Sequence, residues 1–222
     1  MNNATILSHV DHTLLRPDAT LAEVIQLVDE ALEAKCASVC IHSIHVEPVI
    51  NYLDQVKEDL PVCTVIGFPL GAETLQHKWN GIREALRAGA SEVDVVINLA
   101  AVKAGDWDAV RHELGGLRQA ARGFTLKIII ETCYLTEEEK IRLCELISET
   151  GCDYIKTSTG FGPQGAMLED IELFKKHMHS GVKMKAAGGI RTREAMIAYL
   201  EAGCDRLGSS QAVELLFQTD ND

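Results

Sequence analysis

Long apolar runs and targeting signals are missing from this chain of 222 residues. No apolar stretch approaches the length of about 20 residues that a membrane-spanning helix needs. The first residues, MNNATILSHVD, lack the basic start and the sustained apolar segment of a secretory signal peptide. These absences predict a soluble, cytoplasmic protein.

Positive charge is scarce, and the cysteines show no pairing pattern. The chain has 21 lysine and arginine residues against 33 aspartate and glutamate residues, which gives a formal net charge of −12. Because no basic run offsets this charge, neither nucleic acid nor an anionic membrane is expected as a partner. The seven cysteines are an odd number without C-x-x-C spacing, which favours reduced thiols.

The chain does contain a regular alternation of strand-like and helix-like segments. Its apolar runs of strand length are ILSHVDHTLL, SVCIHS, VCTVIGF, EVDVVINL, TLKIIIETC, YIKTST, VKMKAAGG and RLGSS. Amphipathic segments such as LAEVIQLVDEALEA lie between them, with apolar residues three and four apart. The pattern predicts an α/β protein, a single-domain (β/α)8 TIM barrel over residues 1–222. An open doubly wound sheet is the alternative, although no glycine-rich dinucleotide fingerprint follows the first strand.

Three lysines occupy equivalent places in successive units of this alternation. Lys127, Lys156 and Lys185 lie in TLKIII, YIKTST and KMKAAG, at equal intervals of 29 residues. Alternate residues of a strand share a face. In EVDVVIN the apolar residues would face the helices, which leaves Asp94 pointing into the barrel. The sequence therefore predicts that the lysines and Asp94 share the barrel interior.

The charge of these lysines decides what they can do. The ordinary alternative is that each lysine keeps its head in water at a strand end. Two ammonium groups about 6 Å apart repel by roughly 2 to 3 kcal/mol at an effective dielectric of about 20, and burial adds to this cost. One of them is then expected to lose its proton and to form a Schiff base with a carbonyl compound.

We expect Lys156 to be this nucleophile, because it lies deep in an apolar strand. Lys185 is expected to be the neighbouring cation, in an open and hydrated environment, because AAGG follows it. Asp94 would carry protons to and from the intermediate. The alternative role for Asp94 is only to neutralise a buried lysine.

Glycine and serine turns in the last two units suggest where an anion would bind. AAGGIRTREA and RLGSSQAVELL each run from a strand end into a helix start. Barrels commonly bind phosphate at these positions, and exposed backbone amides can hold an anion without a basic surface. The alternative is that such turns are only tight connectors. The candidate phosphate-binding residues are Thr157, Gly160, Gly188, Gly189, Gly208, Ser209 and Ser210.

Other polar residues carry weaker signals. The histidine pairs in HSIH and HMH have no carboxylate or cysteine placed to complete a ligand set. We therefore expect no metal and no other cofactor. Cys40 is expected in the core, with the barrel mouth as the alternative. Asp11, His12 and Thr13 end the first strand and are a candidate rim of the active site.

Together these motifs resemble the deoxyribose-phosphate aldolase family over nearly the whole chain. The matching motifs are DHTLLRPDAT, SVCIH, FPLGAET, EVDVVINL, KIIIETCYLT, YIKTSTGFGP, KAAGGIRT and GSS. The resemblance implies a metal-independent class I aldolase that reversibly cleaves 2-deoxy-D-ribose 5-phosphate into D-glyceraldehyde 3-phosphate and acetaldehyde. It assigns the Schiff base to Lys156 and proton transfer to Asp94 and Lys185.

The chain departs from the family pattern at a few positions. Arg16 stands where a lysine is usual, His42 and Ser43 replace Asn-Pro, and Gln164 interrupts a glycine-rich loop. The sequence ends in FQTDND, without the C-terminal tyrosine that some members use near the active site. None of these departures removes a catalytic group, so we expect activity to be kept, and any effect of the missing tyrosine would fall on the rate.

Two other functions remain open at this point. A barrel isomerase or epimerase acting on a sugar phosphate would use acid and base residues without an imine. An inactive barrel would only bind a sugar phosphate. The expected partners of the aldolase are a small sugar phosphate and acetaldehyde. The oligomeric state is left open, and a homo-oligomer is compatible with the sequence.

Overall fold

The computed structural model describes residues 1–179 and 181–217, which form one closed barrel of parallel strands. Each strand pairs with the next, and the last pairs with the first. The predicted TIM barrel is therefore confirmed, and the open sheet is excluded. The strands are β1 (Val10–Leu14), β2 (Ser38–Ile41), β3 (Val62–Ile66), β4 (Glu92–Val96), β5 (Thr125–Ile129), β6 (Tyr154–Lys156), β7 (Lys183–Ala187) and β8 (Arg206–Ser209).

Helices connect the strands and cover the outside of the barrel. They are α1 (Asn3–Leu7), α2 (Leu21–Glu33), α3 (Val46–Val56), α4 (Leu75–Arg87), α5 (Leu99–Lys103), α6 (Trp107–Ala120), α7 (Glu137–Glu149), α8 (Leu168–His177), α9 (Arg193–Ala202) and α10 (Ala212–Leu216). Short 3-10 helices lie at Ser43–His45 and Thr132–Tyr134. None of the helices within the described ranges is long and apolar enough to cross a membrane.

Threonine caps fix where several of these helices begin. Thr20 and Thr136 each accept a hydrogen bond from the backbone of a glutamate three residues later, whose side chain returns to the cap residue. This capping box satisfies two amides that the first turn leaves unpaired. Thr74 and Thr192 cap α4 and α9 in the same way, without the returning glutamate. These caps fix the residue at which each of the four helices begins.

Strand alternation separates an apolar outer layer from a charged interior. On β4, Val93 and Val95 belong to the main hydrophobic core under the helices, whereas Glu92 and Asp94 are buried on the opposite face. On β5, Lys127 is buried between Leu126 and Ile128, which join the same core. Asp94 therefore lies inside the barrel, as the alternation predicts.

The prediction about the C-terminal tail cannot be followed in this structure. Residues 218–222, where a terminal tyrosine would fall, lie outside the described part of the chain. The extent of the domain to residue 222 therefore stays a prediction.

A buried ion pair between two helices tests the packing of the outer layer. Lys78 on α4 is fully buried, and its Nζ donates to Glu113 on α6 and to the carbonyl of Val96, both at 2.8 Å. Lys78→Met would leave the Glu113 carboxylate buried without its cation. We expect a loss of about 3 to 5 kcal/mol in the free energy of unfolding, measured by urea denaturation.

Arg142→Ala is the matched control, because Arg142 pairs with Glu145 on the surface of α7 with both side chains 40% exposed. Its expected cost is below about 1 kcal/mol. Similar losses for Lys78→Met and Arg142→Ala would contradict the account of the helix layer.

Candidate active site

A cavity of about 370 Å³ opens at the carboxyl ends of β6, β7, β8 and β1. Parallel barrels carry their functional loops at this face. Lys156 reaches the cavity from β6, together with six of the seven candidate phosphate-binding residues. Those six are Gly160, Gly188, Gly189, Gly208, Ser209 and Ser210.

Thr157 is the candidate that the cavity does not include. Its side chain is fully buried, and its hydroxyl lies between the backbone amide of Ala187 at 3.2 Å and the carbonyl of the same residue at 3.3 Å. Thr157 directly follows Lys156, the last residue of β6, and continued alternation turns its side chain away from the interior. Its contacts stabilise the pairing of β6 with β7, so the structure gives it no direct contact with the cavity.

One carboxylate lies at the centre of the buried lysines. Oδ2 of Asp94 accepts hydrogen bonds from Nζ of Lys156 and Nζ of Lys185, each at 2.7 Å, and Oδ1 accepts one from Lys127 at 3.0 Å. None of these four side chains is more than 4% exposed. The structure thus brings together the three residues that the sequence marks as catalytic candidates.

Two further carboxylates and an arginine extend this cluster. Asp11 bonds Lys185 and Arg206, each at 2.5 Å. Glu92 bonds Lys127 at 2.5 Å and Arg206 at 3.1 Å. With every group ionised, the three lysines and Arg206 carry four positive charges against the three carboxylates. The cluster therefore has one positive charge more than it can balance.

The cluster shifts the pKa of two of its carboxylates, Asp94 and Asp11, and of two of its lysines. Burial alone would raise the pKa of Asp94, but the charges of Lys127 and the other two lysines outweigh it and hold that pKa well below its usual value. Burial opposes the shift of Asp11 in the same way, and its pKa is also lowered. Although burial favours the neutral form, the nearby carboxylates raise the pKa of Lys127 and of Lys185. Both lysines are therefore firmly cationic.

The prediction that Lys185 lies in an open and hydrated environment was wrong. Its side chain is fully buried and does not line the cavity, whereas Lys156 is 3% exposed and does. Lys185 points into the barrel between Asp11 on β1 and Asp94 on β4, and the glycine turn that follows lies farther along the strand. Lys185 lies beside Lys156, as expected, but its charge is stabilised by the carboxylates of Asp11 and Asp94 and not by water.

The lysines differ in how many carboxylates they contact. Lys127 has ion pairs with Asp11, Glu92 and Asp94, and Lys185 has them with Asp11 and Asp94. Within the described residues, Lys156 has an ion pair with Asp94 alone. Removing the charge of Lys156 therefore loses the fewest attractions and brings the cluster to neutrality. The same lysine is the one that faces the cavity.

The first strand divides differently from the predicted rim. Asp11 is fully buried in the charge cluster, and Thr13 lines the cavity. His12 lies between them on the opposite face, where its Nε2 contacts Oε2 of Glu30 at 3.0 Å. The alternation of D-H-T could have separated these residues, since positions two apart share a face.

Arg191 is a cavity residue that sequence reasoning missed. It lies in the GGIRT segment directly after the two glycines, and its exposed side chain lines the cavity. The candidate phosphate site was predicted to bind an anion through exposed backbone amides, without needing a basic surface. A cation beside those glycines means that side-chain charge is also available there.

The cysteines inside the barrel bear on metal binding. Among the described residues, Cys40, Cys63 and Asp94 form a group whose donor atoms lie within 4.8 Å of one another. The thiol of Cys63 donates to Oδ1 of Asp94 at 3.1 Å, and three ammonium groups surround the same carboxylate. This positive environment disfavours a divalent cation. Cys40 is fully buried in a small apolar cluster, as expected.

The histidines of HSIH do not converge on a ligand set. His42 lies beside the carbonyl of Leu15, at 3.0 Å from its Nε2, and its ring contacts that of Phe68. His45 is buried at the junction between the 3-10 helix and α3. These contacts are structural, and they leave neither ring directed at the cavity that Lys156 lines.

Comparison with known proteins gives consistent matches along the chain. A family model described as DeoC/LacD family aldolase matches residues 5–208. A deoxyribose-phosphate aldolase of Clostridium botulinum is 50% identical over 217 residues, covering 97% of this chain and 96% of the relative. One from Thermococcus gammatolerans is 46% identical, covering 95% of each chain. The tetrameric deoxyribose phosphate aldolase of Aeropyrum pernix matches with a TM-score of 0.90 and 29% identity, over 99% of this chain and 92% of that one.

The lowered pKa of Asp11 predicts a specific loss of stability in acid. A carboxyl group with a folded-state pKa below its unfolded value of about 3.9 contributes fully above that pH and progressively less below it. We expect Asp11→Asn to be less stable than the wild type by about 3 to 5 kcal/mol at neutral pH, because it removes a buried countercharge. The difference should shrink when urea denaturation is repeated near pH 3.

Asp18→Asn serves as the control, since Asp18 is 74% exposed in its contact with Arg16. A stability difference for Asp11→Asn that stayed constant from neutral pH into acid would contradict the ionised state assigned to Asp11.

Proposed function

Because this chain belongs to the DeoC/LacD family of aldolases, we propose that it reversibly cleaves 2-deoxy-D-ribose 5-phosphate into D-glyceraldehyde 3-phosphate and acetaldehyde. The covalent intermediate is a Schiff base on Lys156. The observation that carries the proposal is that Lys156 combines access to the cavity with the fewest carboxylate contacts among the three buried lysines. The name shared by the curated relatives supports the choice of substrate.

The cavity offers a place for each end of this substrate. Gly188 and Gly189 both have positive φ angles, +85° and +76°, in the turn after β7. With Ser209, Ser210 and the cation Arg191 they line the same cavity as Lys156. The phosphate would bind this polar wall through backbone amides, serine hydroxyls and arginine, and the aldehyde carbon would meet the amine at the other end.

The reaction begins when the neutral amine of Lys156 attacks C1 of the open-chain sugar. The carbonyl oxygen takes up protons and leaves as water, which gives a protonated imine. The proton of the 3-hydroxyl group is then removed, the C2–C3 bond breaks, and its electrons pass to C2 to form an enamine. The new aldehyde is D-glyceraldehyde 3-phosphate. Protonation of C2 and hydrolysis of the imine release acetaldehyde and restore the amine.

Asp94 accepts and returns protons in these steps, and Lys185 assists it as a neighbouring cation. The resting Asp94 is a weak base, because three ammonium groups hold its pKa low. While Lys156 is a neutral amine or carbinolamine, one of those charges is absent, and Asp94 is a better proton acceptor during formation of the imine. Lys185 remains a cation beside the same oxygen and stabilises negative charge that develops there.

Trapping with borohydride tests the covalent step. Reduction in the presence of acetaldehyde should replace one hydrogen of Lys156 with an ethyl group and abolish turnover, because the reduced imine cannot hydrolyse. Mass spectrometry of the intact protein and of its peptides gives the number and position of the adducts. Lys156→Ala should take up no rapid adduct and should lose retro-aldol activity.

Lys176→Ala is the matched control, because Lys176 is an exposed lysine on α8. This variant should be trapped and inactivated like the wild type. An isomerase or epimerase would keep its activity after reduction, and an inactive barrel would have no retro-aldol rate to lose. Either result, or an adduct on a different lysine, would overturn the proposal.

A further inference from the structure

We propose that Glu131 is a positioning residue for phosphate recognition and acts through the loop that follows Lys156. It touches neither the proposed imine nor the lysine cluster. The inference rests on the proposed function and adds to it a residue that controls one end of the substrate. The connection runs from Glu131 to Thr159, from Thr159 to Gly160, and from Gly160 to the glycine turn after β7.

Glu131 is held in an unusual backbone conformation just beyond β5. Its φ and ψ angles are 50° and 67°, in the left-handed region that residues other than glycine rarely adopt. The residues on either side hydrogen bond to the end of β6 and to the residue after it: Ile130 donates to the carbonyl of Lys156 at 3.1 Å, and Thr132 donates to that of Thr157 at 3.0 Å. The backbone therefore directs the Glu131 side chain toward the segment immediately after the nucleophile.

The carboxylate of Glu131 accepts hydrogen bonds from both the backbone amide and the hydroxyl of Thr159. The side chain of Glu131 is only 2% exposed. The amide of Thr159 lies 3.3 Å from Oε1 and 3.2 Å from Oε2, and the hydroxyl of Thr159 donates to Oε2. The same hydroxyl oxygen accepts from the amide of Phe161 at 3.0 Å. Because two donors of Thr159 bond to the same buried side chain, they fix the turn of the loop.

The loop that Glu131 fixes forms one wall of the cavity. Thr159 and Gly160 both line the cavity. Beyond them the loop rests on the turn after β7, where the amide of Ala166 donates to the carbonyls of Ala187 and Gly188, each at 3.1 Å. A methyl group added to Gly188 would lie 3.2 Å from Cα of Gly160, so the two backbones are in close contact. A displaced loop therefore displaces the turn assigned to the phosphate.

This placement separates the role of Glu131 from that of the amine. Loss of its carboxylate leaves two donors of Thr159 without their acceptor. The loop at Gly160 and the turn at Gly188, which would hold the phosphate, can then move. The ion pairs of Asp94 with Lys156 and Lys185 contain no atom of this loop. Recognition of the phosphorylated substrate should therefore weaken while imine formation with a small aldehyde continues.

The test compares Glu131→Ala with the wild type on 2-deoxy-D-ribose 5-phosphate and on unphosphorylated 2-deoxy-D-ribose. Loss of hydrogen bonds to a charged group should raise KM for the phosphate ester about tenfold or more, with kcat changed by less than about threefold. KM for the unphosphorylated sugar should stay within about twofold of the wild-type value, since this sugar has no phosphate group to bind at this turn. Competitive inhibition by inorganic phosphate should weaken in parallel.

Borohydride trapping of acetaldehyde on Lys156 provides the control for the chemistry. It should proceed in Glu131→Ala as in the wild type. Failure of the wild type to form the adduct would refute the proposed function. Normal trapping in both proteins, with an unchanged KM for the phosphate ester or an equal rise for both sugars, would refute the role of Glu131 alone.

Thr159 variants test the connection even if Glu131→Ala folds poorly. Thr159→Ser keeps the hydroxyl and should behave like the wild type, whereas Thr159→Val should raise KM for the phosphate ester. Glu131→Gln, Thr159→Val and the double variant complete the comparison. KM of the double variant should be no higher than that of the more affected single variant, because both changes break the same contact. Fully additive effects would show that the two residues act separately and would overturn the inference.

Discussion

A single carboxylate oxygen organises the interior of this barrel. Oδ2 of Asp94 binds the amines of Lys156 and Lys185 at equal distances of 2.7 Å, so two cations from neighbouring strands share one anion. The arrangement is stable only because Asp11 and Glu92 balance the charges farther inside. Of the three lysines, Lys156, which reaches the cavity, has the fewest carboxylate partners. Lys156 and Lys185 thus differ in the number of their carboxylate partners.

The charge around the cavity differs in sign from the net charge of the protein. The protein as a whole carries a formal charge of −12, yet the groups buried around Lys156 sum to a positive charge. Burial keeps this local field from being screened by water or salt. Gly188, Gly189 and the exposed cation Arg191 line the same cavity. An acidic surface is therefore compatible with an anionic substrate.

The fold and the clustering of the three lysines with Asp94 could be predicted from the sequence, because both depend on local periodicity. The interval of 29 residues between the lysines placed them on successive strands, and alternation along EVDVVIN turned Asp94 inward. Contacts between distant strands left no such signal. Asp11 on β1 binds Lys185 on β7 only because the barrel closes through β8, so the burial of Lys185 was missed. Glu131 was missed for a related reason, since its role depends on a left-handed backbone angle and a loop 28 residues away.

The central claim is that the charge of Lys156 is the one that the cluster can lose at the lowest cost. Substituting each buried lysine with methionine removes that charge and keeps a similar side-chain volume. The direct measurement is the free energy of unfolding of Lys156→Met, Lys185→Met and Lys127→Met, by urea denaturation at neutral pH. The account predicts the smallest loss for Lys156→Met, which leaves one carboxylate contact unfilled and a balanced cluster. A loss for Lys156→Met as large as that for Lys185→Met or Lys127→Met would contradict it.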